Sequence, residues 1–524
     1  MLAFALILIA LFPLSAQQPF DLVIAGGRLI DGSGTPFFYA DLGIRGDTIV
    51  EIGPLEGRQA RVRIDARGFT VTPGFIDVHS HAIGGIYDVP SAENCIRQGV
   101  TTVIEGPDGS SPLPLKPALD KLASTPISIN FGFCVGHGRI RGAVMGSQRR
   151  LATPEEIERM KVLARQAMLD GAFGLSSGLF YVPGNYANTE EVIEIAKVVG
   201  KLGGFHVSHM RDEANSILDS VRETIRIGEE GGLPTQLTHH KVIGKANWGK
   251  SVETLRLVEE ARARGVDVTI DQYPYTASST SLGAALFPQW AFAGGSQALA
   301  ERLKAPQQRA QIKAEVARRI ENERGGGDPR NIVFARCGFD PALSGKTLAD
   351  ATRANGRPVT VETAAETAME IQQKGGCSAI FHAIQEDDVV RILKYPHTMV
   401  ASDGGIPVFG NDHPHPRSYG AFARVLGRYA RDMKVIPIED AVRKMSGLPA
   451  QRIKLWDRGL LRPGMKADIV ILDPKTVADR SEFLKPHQYA VGVRDVLVNG
   501  KFALRDGKMT AERPGRVIYG PAKQ

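Results

Sequence analysis

The chain has 524 residues, of which 43% are hydrophobic and 23% are charged. These values are ordinary for a globular protein, and the length allows one large domain with smaller additions. The formal net charge is +7. The basic residues are scattered, with no basic run and no interleaved aromatic residues, so we do not expect a nucleic acid partner.

The N-terminal segment predicts export. Residues 2–14 are almost wholly apolar and are followed by Ser15-Ala16-Gln17, where small residues suit a signal-peptide cleavage point. We therefore expect residues 1–16 to be a signal peptide and the protein to be secreted or periplasmic. No Lys or Arg precedes the apolar run, so an uncleaved N-terminal anchor is the alternative. No later stretch has the length and purity of a transmembrane helix, so we expect no other membrane contact.

Both ends of the chain show short strand patterns. Residues 20–32 and 40–50 contain alternating β-branched residues interrupted by Gly-Gly and Gly-Asp, and similar runs recur at 467–472 and 493–500. Such patterns are typical of hairpin strands. We predict one small β-sandwich-like domain formed by residues 20–70 and 456–517, with residues 71–455 as the central domain.

The central domain alternates strand-like and helix-like segments, which predicts a parallel sheet with helices outside. The strand-like runs after residue 75 are 100–105, 127–135, 174–178, 205–209, 235–239, 266–272, 379–382 and 399–403. Helical patterns include 190–202 and 217–230, and Thr153-Pro154 marks another helix start. The number of units predicts an α/β fold, a (β/α)8 TIM-like barrel, whose chemistry lies at the C-terminal ends of its strands.

Residues 287–361 interrupt this alternation. They contain a charged helical pattern at 307–324, then Gly325-Gly326-Gly327 and a short strand pattern at 332–335. We interpret this interval as an insertion near the barrel mouth that shapes the substrate pocket. Surface decoration without a role in the pocket is the alternative.

The four cysteines, Cys95, Cys134, Cys337 and Cys377, are far apart in the sequence and form no Cys-x-x-Cys motif. A protein of this size does not need disulfides to fold. We expect all four to be buried thiols.

The segment 75–81, with the sequence Phe-Ile-Asp-Val-His-Ser-His, reads as a strand that ends in two histidines. Residues two apart on a strand share a face, so His79 and His81 project together and can chelate one divalent ion. His209, either His239 or His240, and Asp403 end other predicted strands. Buried without a metal, these imidazoles would leave unsatisfied nitrogens. The sequence therefore predicts one or two bound divalent ions, with zinc favoured.

The segment Pro-Gly-Phe-Ile-Asp-x-His-x-His resembles the signature of the amidohydrolase superfamily of metal-dependent barrels. Later motifs, such as His-Met-Arg-Asp-Glu from His209 and His-His-Lys from His239, resemble those of N-acyl-D-amino-acid deacylases (D-aminoacylases). The resemblance extends from about Asp21 to about Val517. It implies a barrel with a β-domain from both chain ends. It also favours His239 over His240 as ligand, and implies that Asp403 contacts the metal and handles the proton.

One segment departs from the deacylase pattern. The family has Gly-Asn-Cys-Gly after the second strand, and its cysteine is a metal ligand. Here the segment reads Glu105-Gly-Pro-Asp108-Gly, so Asp108 stands at the place of the cysteine. A carboxylate can also bridge two divalent ions, although it is a harder ligand than a thiolate. We favour Asp108 as the bridging ligand, and Glu105 is the competing candidate.

The substrate-side residues follow from the same resemblance. Arg417 lies in a motif like the deacylases' His-Pro-Arg, whose arginine holds the substrate α-carboxylate, and a guanidinium suits a carboxylate bidentately. Lys241, Tyr181 and Ser278 also fall on substrate-side motifs. For each of these three, a purely structural role is an equal alternative. His137 and His382 lie at strand ends without an assigned role.

The resemblance implies an enzyme that hydrolyses linear amides: N-acyl-D-amino acids, or dipeptides ending in a D-residue, with release of the free D-amino acid. A metal-activated water would attack the carbonyl, and Asp403 would act as general acid and base. A cyclic amidase of the dihydroorotase or hydantoinase type is one alternative. Those enzymes carry a lysine as a carboxylated metal bridge, and no convincing lysine ends a strand before His209. A metal-free binding relative is the other alternative.

Overall fold

The computed structural model describes residues 18–523, so the expected signal peptide lies outside the described residues. One nine-stranded sheet contains strands from both ends of the chain. Its strands are Phe20–Leu29, Phe38–Arg45, Thr48–Gly53, Ala60–Asp65, Thr70–Pro73, Ile469–Leu472, Val493–Val498, Lys501–Arg505 and Lys508–Met509. The two ends meet where Thr70–Pro73 pairs antiparallel with Ile469–Leu472. Leu22 and Ile24 pack in one apolar cluster with Ile469 and Leu497. Val470 and Val496 share a second cluster with Phe75, so this sheet packs against the barrel that begins two residues after Pro73.

Eight parallel strands form the barrel. In chain order they are Phe75–Asp77, Val100–Glu105, Asn130–Phe133 with its continuation Val135–Gly136, Gly174–Gly178, Phe205–His209, Thr235–Leu237, Val268–Gln272 and Thr398–Val400. The barrel closes where Ser80–His81 pairs in parallel with Gly404–Gly405 and where Asp403 N donates to His79 O over 2.9 Å. The predicted (β/α)8 barrel is confirmed.

Some of the α-helices surround the barrel, and others belong to the insertion between its seventh and eighth strands. Their bounds are Glu93–Ile96, Lys116–Ala123, His137–Met145, Pro154–Asp170, Thr189–Lys201, Ile217–Gly231, Ser251–Ala263, Leu282–Leu286, Gly295–Lys304, Pro306–Arg319, Leu348–Ala354, Val361–Gln373, Glu386–Lys394, Arg417–Arg424, Ile438–Met445 and Gly447–Arg452. The predicted cap is present: Thr153 and Glu156 form a capping box at the start of Pro154–Asp170, which satisfies two free backbone donors. Across residues 18–523, no helix combines the length and apolar character needed to cross a bilayer.

The insertion lies between the seventh and eighth barrel strands and is longer than the interval expected from the sequence. It contains a three-stranded antiparallel sheet, formed by Ser278–Ser281, Ser378–Phe381 and Ile332–Arg336. The expectation that residues 379–382 form a barrel strand is therefore wrong. A short buried apolar run has the same pattern in either sheet, so its partner strands decide its place.

Two of the four cysteines form a disulfide, Cys337–Cys377, so the expectation of four thiols is wrong for this pair. Arg336 and Ser378 are paired across adjacent antiparallel strands, which brings the flanking cysteines side by side. Forty residues separate them in sequence, and only the insertion sheet shows their proximity. Cys95 and Cys134 are buried free thiols.

Candidate metal centre

Four histidines and two aspartates come together at the C-terminal ends of the barrel strands. His79 and His81 follow the first strand, Asp108 the second, His239 the sixth and Asp403 the eighth, and His209 is the last residue of the fifth. All of them except His79 line a cavity of about 940 Å³. His79 is fully buried behind it. The order of strands around a barrel thus gathers residues that lie more than 300 positions apart in the chain.

Asp108 belongs to both groups of side chains that could hold an ion. One group is His79, His81, Asp108 and Asp403, and the other is Asp108, His209 and His239. Oδ2 of Asp108 lies 3.5 Å from His81 Nε2, whereas Oδ1 lies 3.3 Å from His239 Nε2. One carboxylate therefore presents a separate oxygen to each group, which is the geometry of a ligand that bridges two cations.

Several polar atoms in the cluster lack a hydrogen-bond partner. Nε2 of His79 and Oδ1 of Asp108 are buried and have no hydrogen-bond partner among residues 18–523. Nδ1 of His209 lies 2.6 Å from Nε2 of His239, so two imidazole nitrogens face one another directly. Buried polar atoms normally find partners. Imidazole and carboxylate donors converging in this way fit a divalent ion such as zinc.

Opposite charges offset the cost of burial in the cluster. Burial raises the pKa of Asp108, but His79, His239 and His209 outweigh this effect and hold that pKa well below its usual range. Burial likewise raises the pKa of Asp403, but Arg417 and His79 hold it well below its usual range. Both carboxylates are therefore ionised at neutral pH, the form in which they bind cations.

Three residues of the cluster have a strained backbone. Asp108, His239 and Asp403 have φ values of 56°, 35° and 50°, in the left-handed region that side chains other than glycine rarely adopt. Such strain is retained where the surrounding structure requires a particular side-chain direction. In the cluster it occurs at Asp108 and at one residue after each of the sixth and eighth strands.

Thr238, which lies between the sixth strand and His239, orients His79. The Thr238 hydroxyl lies 2.5 Å from His79 Nδ1 and donates to Asp271 Oδ2 over 2.7 Å. His79 must therefore carry a proton on Nδ1, so that its neutral, ligand form would direct the Nε2 lone pair at the two carboxylates. Asp271 also accepts from the His239 backbone N over 2.7 Å, so one buried carboxylate positions residues in both groups.

Lys241 is held by a neighbouring carboxylate. Its Nζ donates to Glu213 Oε1 over 2.5 Å and lies 2.7 Å from His239 Nδ1. Glu213 Oε1 is 3.2 Å from the same imidazole nitrogen, and its Oε2 lies 3.7 Å from His209 Nε2. The Lys241–Glu213 pair thus contacts the outer nitrogens of both histidines of the second group and sets their orientation.

The structure distinguishes between Asp108 and Glu105, the two candidates for the bridging ligand. Glu105 accepts from the backbone N atoms of Ile83 and Gly106, over 2.9 and 3.0 Å, and belongs to neither ion-binding group. Burial raises its pKa. His240 is likewise outside the cluster, because its Nε2 pairs with Thr254. The geometry favours Asp108 over Glu105, and His239 over His240.

The four residues expected on the substrate side, Arg417, Lys241, Tyr181 and Ser278, all line the same cavity. Arg417 is already engaged, since its Nη1 lies 2.7 Å from Asp403 Oδ2 and its guanidinium stacks over the Tyr273 ring. The Tyr181 hydroxyl bonds to Thr280. The insertion supplies Ser278 and Thr280, so part of the pocket wall comes from outside the barrel.

A family model described as the amidohydrolase family matches residues 63–503. The chain belongs to the amidohydrolase family. D-aminoacylase from Alcaligenes xylosoxydans xylosoxydans is 40% identical over 527 residues, which cover 96% of this chain and 98% of that relative. Among solved structures, a D-aminoacylase is 37% identical, with a TM-score of 0.82 and coverage of 96% of this chain and 100% of the other.

A second solved structure also resembles this amidohydrolase. It is an N-acyl-D-glutamate deacylase from Bordetella bronchiseptica, complexed with zinc and a phosphonate inhibitor that mimics the tetrahedral intermediate. It is 34% identical, with a TM-score of 0.82, and the match covers 96% of this chain and 100% of that one. The resemblance inferred from short motifs is thereby confirmed over almost the whole length.

Sequence reasoning missed several residues of the amidohydrolase site. Glu213 lies four residues after His209 in a motif already singled out, so its spacing was a usable signal. No sequence signal pointed to Asp271, Thr238 or Tyr273, because their roles depend on contacts between neighbouring strands. His137, left unassigned, lies outside the cluster and pairs with Glu191. His382, also unassigned, packs against Phe483.

Proposed function

We propose that the protein is a metal-dependent hydrolase of N-acyl-D-amino acids, or of dipeptides ending in a D-residue, and that it releases the free D-amino acid. The observation that carries this proposal is the Asp108 carboxylate shared by two histidine groups in a cavity lined by arginine and lysine. The relatives named D-aminoacylase and N-acyl-D-glutamate deacylase support the substrate class. The zinc in one relative's structure supports zinc as the metal.

The proposed ligands are His79, His81 and Asp403 in one group and His209 and His239 in the other, with Asp108 in both. An ion bound there supplies a nucleophile at neutral pH and polarises the amide carbonyl. The chain's own part is to fix the ligands before substrate arrives. Thr238 does so at Nδ1 of His79, and Lys241, which is paired with Glu213, does so at Nδ1 of His239.

Asp403 is the proposed carrier of the proton. Its carboxylate is ionised at neutral pH because Arg417 and His79 lie beside it, so it can accept the proton released by the attacking water. It then passes that proton to the leaving nitrogen as the amide C–N bond breaks. Arg417 takes part in both proton transfer and substrate binding. It contacts Asp403, and it faces the cavity where the substrate carboxylate would lie.

A stereochemical screen tests the proposal. Zinc-loaded protein should hydrolyse N-acetyl-D-methionine and N-acetyl-D-leucine, and leave the L-enantiomers and hydantoins intact. Chelator treatment should abolish turnover, and added zinc should restore it. Preferred hydrolysis of a cyclic amide would favour the cyclic amidase alternative. Binding of N-acyl amino acids without turnover, with no stoichiometric metal, would favour the metal-free relative.

We also propose that the protein is exported, from the apolar run at residues 2–14 and the small residues that follow it. A signal peptide removed after Ala16 would leave Gln17 at the mature N-terminus. Mass spectrometry of protein recovered outside the cytoplasm tests this. An intact N-terminus in the membrane fraction would instead identify the segment as an anchor.

A further inference from the structure

In the part of the chain that the structure describes, Arg324 is a buried cation without a counter-anion. Five arginines are at least 95% buried among the described residues, Arg324 being 4% exposed. The other four each pair with a carboxylate, in the pairs Arg141–Glu191, Arg417–Asp403, Arg452–Asp267 and Arg458–Asp468. Within residues 18–523, no carboxylate lies within ion-pair distance of Arg324, and its Nε has no hydrogen-bond partner. Because an unpaired buried charge is costly, this guanidinium requires an anion from elsewhere.

The guanidinium lies in the wall of the substrate cavity. Arg324 ends a π-helical turn, Ile320–Arg324, that continues the insertion helix Pro306–Arg319, and such turns are frequent at functional sites. Its Nη1 lies 3.5 Å from the Ser278 hydroxyl, and its Cζ lies 5.2 Å from the centre of the Phe180 ring. Phe180 in turn stacks on His209. One ring therefore separates this cation from the second histidine group.

The other charged side chains near Arg324 already have ion-pair partners. Lys241 pairs with Glu213, and Arg417 with Asp403. The acidic residue next in sequence, Glu323, binds Arg318 over 2.8 Å. On the cavity side, the insertion strand Ser278–Ser281 presents only hydroxyl side chains, which can donate hydrogen bonds to an anion but carry no charge.

We propose that Arg324 binds a carboxylate of the leaving amino acid and thereby selects anionic substrates. This inference rests on the proposed function. A guanidinium fork matches a carboxylate, and the bound carboxylate would supply the missing counter-charge. The carboxylate could be the α-carboxylate or the side chain of an acidic D-residue. The chemistry of the contact is the same for both, and the choice of substrates separates them.

The experiment compares wild type, Arg324→Gln and Arg324→Lys on three substrates: N-acetyl-D-glutamate, N-acetyl-D-glutamine and the α-amide of N-acetyl-D-glutamine. They carry two, one and no carboxylates. Arg353→Gln is the control, since it removes a positive charge from the insertion at an exposed position outside the cavity lining. Zinc content is measured for every variant, so that loss of metal is separated from loss of substrate binding.

We expect Arg324→Gln to lower kcat/KM for N-acetyl-D-glutamate by about 10- to 100-fold, mainly by raising KM, as for loss of a charged hydrogen bond. If the α-carboxylate is bound, N-acetyl-D-glutamine loses as much and its amide loses nothing. If the side chain is bound, only N-acetyl-D-glutamate is affected. Arg324→Lys should recover part of the loss, and Arg353→Gln should stay within about twofold of wild type.

Equal losses on all three substrates, or no loss on any, would overturn the proposal, because either pattern means that Arg324 contacts no substrate carboxylate. Calorimetric titration of zinc-loaded wild type and Arg324→Gln with D-glutamate and D-glutamine tests the contact without turnover. Equal affinities of both proteins for both amino acids would also overturn it. An absence of N-acyl hydrolysis in wild type would instead count against the proposed function.

Discussion

Nη1 of Arg417 lies 2.7 Å from Oδ2 of Asp403, so one guanidinium contacts the proposed proton carrier and also faces the substrate cavity. The sequence motif around Arg417 suggested substrate binding alone. The observed pair adds a second role, because the charge of Arg417 helps to keep Asp403 ionised. Changes at Arg417 should therefore affect both substrate binding and the rate of the chemical step.

Arg417→Lys should raise KM and lower kcat, with a fall in kcat/KM of about tenfold or more, because lysine keeps the charge but loses the fork. Steady-state kinetics with N-acetyl-D-methionine measures both constants. Arg424→Lys is the matched control, since Arg424 ends the same helix and pairs with Asp479. A change confined to KM would show that the contact with Asp403 does not support the chemical step.

Thr238→Val should weaken zinc binding by about 10- to 100-fold, because His79 Nδ1 loses the hydroxyl that fixes its proton. Competition with a chromophoric chelator gives the affinity. Thr269→Val is the control: Thr269 is buried on the neighbouring strand, and its hydroxyl has no hydrogen-bond partner in the described part of the chain. Equal affinities in wild type and Thr238→Val would mean that this contact does not orient His79.

His206 should make the protein sensitive to acid. It is fully buried between Ser177 and Thr235, and burial lowers its pKa to about 3. An unfolded chain binds a proton on histidine near pH 6.5, whereas the folded chain does not until about pH 3. Folding stability is therefore lost as the pH falls from 6.5 towards 3, by about 1.4 kcal/mol per pH unit.

His206→Gln removes this titration. Urea unfolding at pH 7.5 and 4.5 should show that the stability advantage of wild type over the variant shrinks by about 2–3 kcal/mol at the lower pH. A difference that does not change with pH would contradict the assignment of His206 as a buried neutral histidine.

The sequence predicted those parts of the fold that depend on local pattern. Strands Val100–Glu105, Gly174–Gly178 and Phe205–His209 have the bounds expected from their apolar runs. The strand expected over residues 75–81 is interrupted at 78–79, since its two parts are Phe75–Asp77 and Ser80–His81, yet His79 and His81 still lie in one ion-binding group. The same local reasoning failed at residues 379–382, where only the antiparallel partners show that the strand lies in the insertion.

Contacts between distant segments were not predictable in the same way. The pairing of Cys337 with Cys377, the Lys241–Glu213 pair and the missing counter-anion of Arg324 all depend on which elements become neighbours in space. The role of Asp108 was only partly predictable from the sequence. Its place in a motif suggested a bridging ligand, but only the structure shows its two oxygens directed at separate histidine groups.

The most direct test of the account is the zinc content and activity of Asp108→Asn beside Glu105→Gln, each purified and measured by elemental analysis. Asparagine keeps the shape of Asp108 but loses the charge shared by both groups, so the account predicts loss of zinc and of N-acetyl-D-methionine hydrolysis. Glu105→Gln should retain zinc, since Glu105 bonds only to backbone N atoms. Zinc retained in Asp108→Asn and lost in Glu105→Gln would contradict the account and transfer the bridging role to Glu105.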